Sequence, residues 1–427
     1  MDCIRRPHAL RTGAALLAGG SLLLLAQPVL AAPARFQPRA ATAPSFARAC
    51  TISEPDLKPL LASAAPAQSD DDDDDDEDDD GDDDDEHGLI LPGSATCLAI
   101  TGTVSAGFQH DSVRVSRALP PSPASGTSFP VSAALRIATS HELASGLRIG
   151  TAFEFTLDSP VDGVGQSTID EATVTVGPWT FGLDSSRFSF WTGDEFIFST
   201  RVPSRTVGLI ALELPLTGSW TATLAFEDPA LSNTPSTVPV ATGRNVPDAV
   251  GRLVYEAGGW TIHGALALRE IPGSPSRLGR AGIIGATYES TLFGHGGSVT
   301  AQLAGAIDGA PYIGSQLDAR VVSRVLLPQD ATRGFSAVVS ARFEWSKQIA
   351  SNAFLSRYWL EVPLGTGSGE IRIDRLAANL VWTPVKGFKT GIESSLAWAA
   401  IALGGRVIPA GLAGRQISTQ LFVERSF

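Results

Sequence analysis

Residues 335 to 345 read Phe-Ser-Ala-Val-Val-Ser-Ala-Arg-Phe-Glu-Trp. Phe335, Ala337, Val339, Ala341, Phe343 and Trp345 alternate with Ser336, Val338, Ser340, Arg342 and Glu344. A period of two sends successive side chains to opposite faces of an extended chain, so this run is a strand with one apolar face and one small or polar face. The same alternation recurs at Leu98–Phe108 and Leu147–Leu157. Each run is roughly ten residues long, the length of a tilted strand that crosses a bilayer. Strands of water-soluble proteins are mostly about 5–6 residues. With Trp260–Arg269, Ser298–Gly305, Leu376–Trp382, Phe388–Trp398 and similar segments, about sixteen strands fit between Cys97 and Phe427.

The connections alternate in length. Gly177-Pro178, Pro215–Gly218, Gly258-Gly259, Phe293–Gly297, Ser346-Lys347 and Pro384–Gly387 are short turns. Between them lie Ser185–Arg205, Asp228–Pro247, Glu270–Gly279, Asp308–Arg333 and Leu403–Gly414, which are long and polar or rich in Gly and Pro. Short turns on one side and long loops on the other is the layout of an outer-membrane barrel. Trp179, Trp220, Trp260, Trp345 and Trp382 stand beside short turns. Indole favours the headgroup zone, with its ring in apolar matter and its N–H wet, so these positions predict an aromatic girdle. A core of a soluble β-sandwich is the competing use for them. The fold class read from these patterns is all-β: a transmembrane antiparallel barrel over residues 88–427.

Composition narrows the field. The chain of 427 residues is 43% hydrophobic and 18% charged, which excludes a wholly disordered chain. The formal charge of −13 is mostly local: every residue from Asp70 to Glu86 except Gly81 is acidic. Outside that tract acids and bases nearly balance, and no basic nucleic-acid footprint is present.

The start of the chain reads as an address. Arg5, Arg6 and Arg11 precede an apolar stretch from Ala14 to Val29, and Val29-Leu30-Ala31 ends it with small residues spaced for cleavage. That pattern is a secretory signal peptide over residues 1–31. Residues 32–87 are rich in Ala and Pro and then in Asp, with no strand or helix period. Adjacent carboxylates repel and nothing there can bury, so this segment is expected to be disordered. Specific calcium binding is the sharper alternative, but the spaced ligands and turn glycine of a calcium loop are absent. Cys3 leaves with the signal. Cys50 and Cys97 remain, and in an exported chain two cysteines either pair or persist as free thiols; the oxidising compartment favours a disulfide.

The final strand alternates Ile417, Thr419, Leu421 and Val423 with Ser418, Gln420 and Phe422, and ends at Phe427. A terminal aromatic on such a strand looks like the signal read by the barrel-assembly machinery.

Several segments, in order, resemble the trimeric porins of alphaproteobacteria. They are GLILPGSATCLAITGTV (88–104), FGLDSSRFSFWTGDEF (181–196), GSWTATLAFEDP (218–229), RNVPD (244–248), NLVWTPVKGFKTGIE (379–393) and FVERSF (422–427). The resemblance implies a homotrimeric general-diffusion porin in the bacterial outer membrane, surrounded by outer-membrane lipids and passing small hydrophilic solutes and ions. It also implies that the third long loop, Ser185–Arg205, folds into the barrel as a constriction. Two departures stand out: Cys50 and Cys97 lie far apart around the acidic tract, and Leu183 stands where the family usually has a basic residue.

The constriction loop carries Asp194, Glu195 and Arg201. Inward positions with charge include Arg136, Arg148, Glu154 and Arg342, the candidates for the pore wall, with Arg136 and Arg148 facing the loop's acids. Acids opposite bases would set a transverse field at the narrowest point. No catalytic constellation is evident: there is no His-Glu-x-x-His run and no Gly-x-Ser-x-Gly elbow. No cofactor and no metal ligand set is expected, and the chain is not read as an enzyme. The competing function is a non-transporting exported barrel or adhesin with the acidic tract as its working part.

Overall fold

The structure is a computed structural model. It describes residues 49–52, 86–115, 124–159, 166–228, 246–271, 276–292, 294–315, 332–364, 367–403, 406–407 and 413–427. The signal peptide and the acidic run from Asp70 to Asp85 lie outside the described residues.

Sixteen strands form the wall. They are β1 (Cys97–Val115), β2 (Val131–Glu142), β3 (Arg148–Ser159), β4 (Gln166–Val176), β5 (Trp179–Ser185), β6 (Thr206–Thr217), β7 (Trp220–Glu227) and β8 (Asp248–Ala257). The second half is β9 (Trp260–Ile271), β10 (Arg277–Leu292), β11 (His295–Ile307), β12 (Arg333–Ser346), β13 (Ile349–Leu364), β14 (Gly367–Val385), β15 (Phe388–Leu403) and β16 (Gly414–Ser426). Each pairs antiparallel with the next, and β16 pairs with β1 from Gly414↔Val115 to Ser426↔Thr103, so the sheet is closed. Closure leaves no edge with unpaired backbone groups facing lipid. The closing seam ends at Phe427, whose amide and carbonyl exchange hydrogen bonds with Gly102 at 3.0 Å each.

The distribution of polarity is inverted relative to a soluble protein. Leu266, Ile284, Leu303, Val339, Leu355 and Leu421 point outward and are exposed, while Gln302, Ser340, Asn352, Ser395 and Gln420 on the inward face are buried. Apolar matter on the outside requires an apolar solvent, which a bilayer supplies. Trp179, Trp220, Trp260, Trp345 and Trp382 are all exposed on this outer face. Trp220 packs on Tyr255 at 4.9 Å and Trp260 on Tyr288 at 4.5 Å, each with its cross-strand partner. These rings form the girdle at the short-turn end. No helix among the described residues is long and apolar enough to cross a membrane.

Within the stretch that shows no period in sequence, Ala49–Ile52 forms a short strand. It pairs with Glu86–Ile90, which in turn pairs with Cys97 and Leu98 at the start of β1. A disulfide joins Cys50 to Cys97 and ties this small hairpin to the barrel at its short-turn end.

Candidate functional site: a loop folded into the lumen

The chain leaves β5 at Ser185 and returns at Thr206, and the base of this excursion is closed by the Ser186 amide donating to the Arg205 carbonyl at 2.7 Å. Five aromatics in the loop would be unfavourable in open water, since exposing each forgoes about 1.5–3 kcal/mol. The loop instead turns into the barrel. Phe188, Trp191, Phe196 and Phe198 are buried, and Phe190 packs against the same interior clusters. Phe196 meets Phe354 on β13 edge-on at 4.7 Å, and Trp191 meets the same ring at 5.6 Å. Phe190 stacks on His263 of β9 at 5.1 Å. That ring needs Gly285 beneath it, because a Cβ there would lie 2.3 Å from the Phe190 Cδ1.

Polar groups on the inward faces fix the loop backbone. Gln302 Oε1 on β11 accepts the Trp191 amide at 2.8 Å. Glu393 on β15 accepts the amides of Ile197 and Phe198 at 2.9 and 2.8 Å. Asn379 Nδ2 on β14 donates to the Glu195 carbonyl at 2.9 Å, and the Arg375 guanidinium donates to the Ser199 carbonyl at 2.6 Å. A buried amide without a partner costs about 1–3 kcal/mol, so these acceptors are conditions for the loop to stay inside.

The start of the loop is held by a second cluster. Glu227 at the end of β7 accepts from Ser186 Oγ, from the Arg187 amide at 2.8 Å and from the Tyr312 hydroxyl at 3.1 Å. Tyr312 sits on a short 3-10 turn, Ala310–Ile313, in the connection after β11. Burial, and then the neighbouring Glu227 and Asp248 carboxylates, push its phenol well above the ordinary value, so it remains a donor. Arg269 and Asp248 are fully buried beside it, 3.4 Å apart.

Past this cluster on β6–β8 the loop lies along β9–β15 and leaves the opposite side of the lumen open. There the strands β2–β6 and β8 line a cavity of about 630 Å³. Its charged lining is Arg136, Arg148, Arg187 and Arg252 with Glu171, Asp184 and Glu213. Arg136 pairs with Glu171 at 2.9 Å, Arg187 with Asp184 at 2.8 Å and Arg252 with Glu213 at 2.5 Å. Four guanidiniums against three carboxylates make the lining a dense array of both signs with one excess positive charge.

Of the residues read from sequence, Arg136 and Arg148 share this cavity. Glu154 is the cross-strand partner of both Arg136 and Glu171. Arg342 is not among the cavity-lining residues; it pairs with Glu344 at 3.0 Å on its own strand, toward the short turn. Asp194 and Glu195 are exposed on the loop, Asp194 accepting from Thr192 Oγ1 at 2.6 Å and Glu195 from the Trp191 indole at 2.9 Å. Arg201 is half-buried on the same loop. Leu183, at the position noted above, points outward, as its neighbours Gly182 and Asp184 point inward. Sequence reading passed over Arg187, Arg252, Glu171 and Glu213. Their signal was present in strand parity, since Arg252 alternates with the outward Leu253 and Glu213 with the outward Leu214.

A closed barrel of sixteen antiparallel strands with an in-folded third long loop has the architecture of the bacterial outer-membrane porins. The outer membrane channel DcaP of Acinetobacter baumannii superimposes with a TM-score of 0.60 at 14% identity, covering 80% of this chain and 99% of that one. Salmonella typhi OmpF, in its complex with daunomycin, gives 0.53 at 10% identity over 78% of this chain and 98% of that one. At these identities the likeness is one of fold. No protein-family model matches the chain, and no curated protein does.

Proposed function

We propose that this chain is a porin: a passive aqueous channel in the bacterial outer membrane for small hydrophilic solutes and ions. The observation that carries the reading is the loop Ser186–Arg205, pinned by Glu393, Gln302 and Asn379 along one side of the lumen and leaving a charge-lined cavity on the other. A barrel with only a structural or adhesive role has no need to place a loop there. In this reading Asp194, Glu195 and Arg201 belong to the constriction. Arg136, Arg148 and Glu154 form the facing wall, and Arg342 lines the lumen nearer the short turns. Opposed charges at a narrow point then act on passing ions more strongly than in bulk water.

The rest of the biology follows from sequence. Residues 1–31 direct export, residues 32–87 form an acidic spacer, and residues 88–427 are the barrel that the assembly machinery inserts through the strand ending at Phe427. The resemblance to the alphaproteobacterial porins supports a homotrimer. The deciding experiment is conductance in a planar bilayer with the purified protein. Discrete, voltage-independent open steps at low voltage are expected, and a folded barrel that gives no steps overturns the reading.

A further inference from the structure

The outer face of the barrel carries a basic recess that conduction does not use. Register places Arg415 on β16 opposite Arg114 on β1, and Trp398 on β15 opposite Arg415. On β14, Arg372 pairs with Ala400 of β15. Parity puts Arg114, Arg415, Trp398 and Arg372 on the outward face, in line with the exposed Ile417, Leu421, Ile392 and Leu376. Together with the chain at Ala399-Ala400 and Ala413-Gly414 they enclose a recess of about 410 Å³, and among the described residues no carboxylate lines it. Two acids flank Arg372 on its own strand face: Glu370, and Asp374, which Arg372 approaches at 3.5 Å and Arg357 on β13 holds at 2.6 Å. Glu361 and Glu370 stand further toward the long connections.

The depth of the recess says what it meets. Trp382 marks the short-turn girdle on β14, and Arg372 is ten residues further along the same face. At ~3.3 Å per residue and a tilt near 45°, that is about 23 Å along the membrane normal. The apolar band of such barrels is about 25 Å tall. The three arginines thus lie where the opposite leaflet's headgroups begin, and Trp398 beside them is an aromatic of the kind that marks that boundary.

We propose that Arg114, Arg372 and Arg415 form a binding site for the phosphate of a lipid headgroup in the leaflet on the long-connection side. Arg114 and Arg415 oppose each other across the β16–β1 seam, and Arg372 shares Asp374 with Arg357, so the recess keeps excess positive charge that an anion among the guanidiniums would offset. Their planar forks match phosphate oxygens in pairs, and a phosphate at the rim carries its acyl chains down the exposed Ile417–Leu421 and Leu376 surface. Juxtamembrane basic residues attract anionic headgroups in the same way, at about fivefold in affinity per arginine. The proposal rests on the apolar outer face lying in lipid, and its readout is independent of conductance.

The test uses the purified full chain in non-ionic detergent, titrated with phosphatidic acid or phosphatidylcholine and read by native mass spectrometry. Retention of phosphatidic acid over phosphatidylcholine is expected, with about a hundredfold loss in the Arg114→Ala, Arg372→Ala, Arg415→Ala triple variant. Heat-resistant migration on a gel checks that the triple variant folds. If it does not, the single variants carry the test, each expected to lose about fivefold. Lysine at all three positions should recover only part of the preference, because it keeps charge and loses the fork. Millimolar inorganic phosphate should not displace the lipid; displacement would assign the site to free phosphate and overturn the lipid reading. Equal binding of the two lipids, unchanged binding in the folded triple variant, or dispersal of the oligomer by the substitutions would also overturn it, the last by making the recess a contact between copies.

Discussion

The Glu393 carboxylate on β15 accepts the backbone N–H of Phe198, 195 residues earlier in the chain, at 2.8 Å. Its other oxygen takes the Ile197 amide at 2.9 Å. One side chain therefore satisfies two consecutive amides of the loop inside the lumen. Glu393→Leu keeps the approximate volume and removes both acceptors. The barrel should stay heat-resistant, since the backbone pairing of its wall is untouched and only the Asn379–Glu393 side-chain bond between β14 and β15 is lost with the loop contacts. The loop should loosen by about 1–3 kcal/mol per orphaned amide. Single-channel records should show noisier and larger open currents, and protease should cut within residues 186–205. Wild-type currents with a protected loop would mean that the aromatic packing alone holds it.

Lipid exposure makes a depth-dependent prediction. Sequence places Ile149 and Val339 on equivalent apolar faces, yet the structure separates them. Val339 is exposed near the middle of β12, paired with Ala301 and Leu355. Ile149 pairs with Val176, next to the turn at Gly177 and the girdle. Val339→Arg should cost about 2–4 kcal/mol and Ile149→Arg about 0–1 kcal/mol, as charge is tolerated near the interface. Reversible folding into lipid vesicles, titrated with denaturant, measures both. Equal costs would remove the assignment of the bilayer midplane.

How much of this was legible beforehand depends on how far apart the partners are. The barrel was legible because alternation is a local property: Phe335 to Trp345 shows its two faces without reference to any other strand. The loop's burial was legible from its own aromatics. What holds the loop was not, because Gln302, Asn379 and Glu393 are between about 100 and 200 residues from the groups they bind, and only closure of the wall brings them near. The strand Ala49–Ile52 is four residues with no period, and it exists where the disulfide and the Glu86–Ile90 pairing hold it. Arg342 shows the limit of parity: it points inward, but at another height than Arg136.

The disulfide between Cys50 and Cys97 predicts a local effect. It closes the segment that contains the acidic tract, and a loop of this size constrains the opened state by ~4 kcal/mol in the chain-entropy model. Replacing both cysteines with Ser should leave the sixteen-strand wall folded and free the short strand Ala49–Ile52. Hydrogen exchange at Thr51 and Ile52 should accelerate while β1 beyond Ile100 stays protected. Unchanged protection of Thr51 would show that pairing with Glu86–Ile90 suffices without the bond.

The closing seam gives a prediction on assembly. Phe427 lays its ring over Gly102, where a Cβ would stand 2.7 Å from the ring's Cζ. Gly102→Val should force that ring aside and weaken the last backbone pair between β16 and β1. Yield of heat-resistant barrel should fall, and deletion of Phe427 should lower it further by removing both hydrogen bonds to Gly102. Full yield of both variants would place the seam's stability in the strand pairs below it.

The last prediction concerns the constriction itself. Trp191 and Phe196 fill space between the loop and β12–β14, Phe198 is buried as well, and Asp194 and Glu195 are exposed acids in the same stretch. Deleting Trp191–Phe198 should widen the lumen and raise single-channel conductance, because the removed segment carries most of the rings that occupy it. Neutralising the acids as Asp194→Asn and Glu195→Gln should leave conductance nearly unchanged and lower cation preference, measured as reversal potential in a salt gradient. The two variants separate size from field: the deletion removes both, the neutral pair only the charge. The arginines of the cavity opposite stay in place, so removing two carboxylates from the loop should move selectivity toward anions. A folded deletion variant with unchanged conductance would show that the loop is not the narrowest point. A neutral pair with unchanged reversal potential would place selectivity in the arginine-lined wall alone.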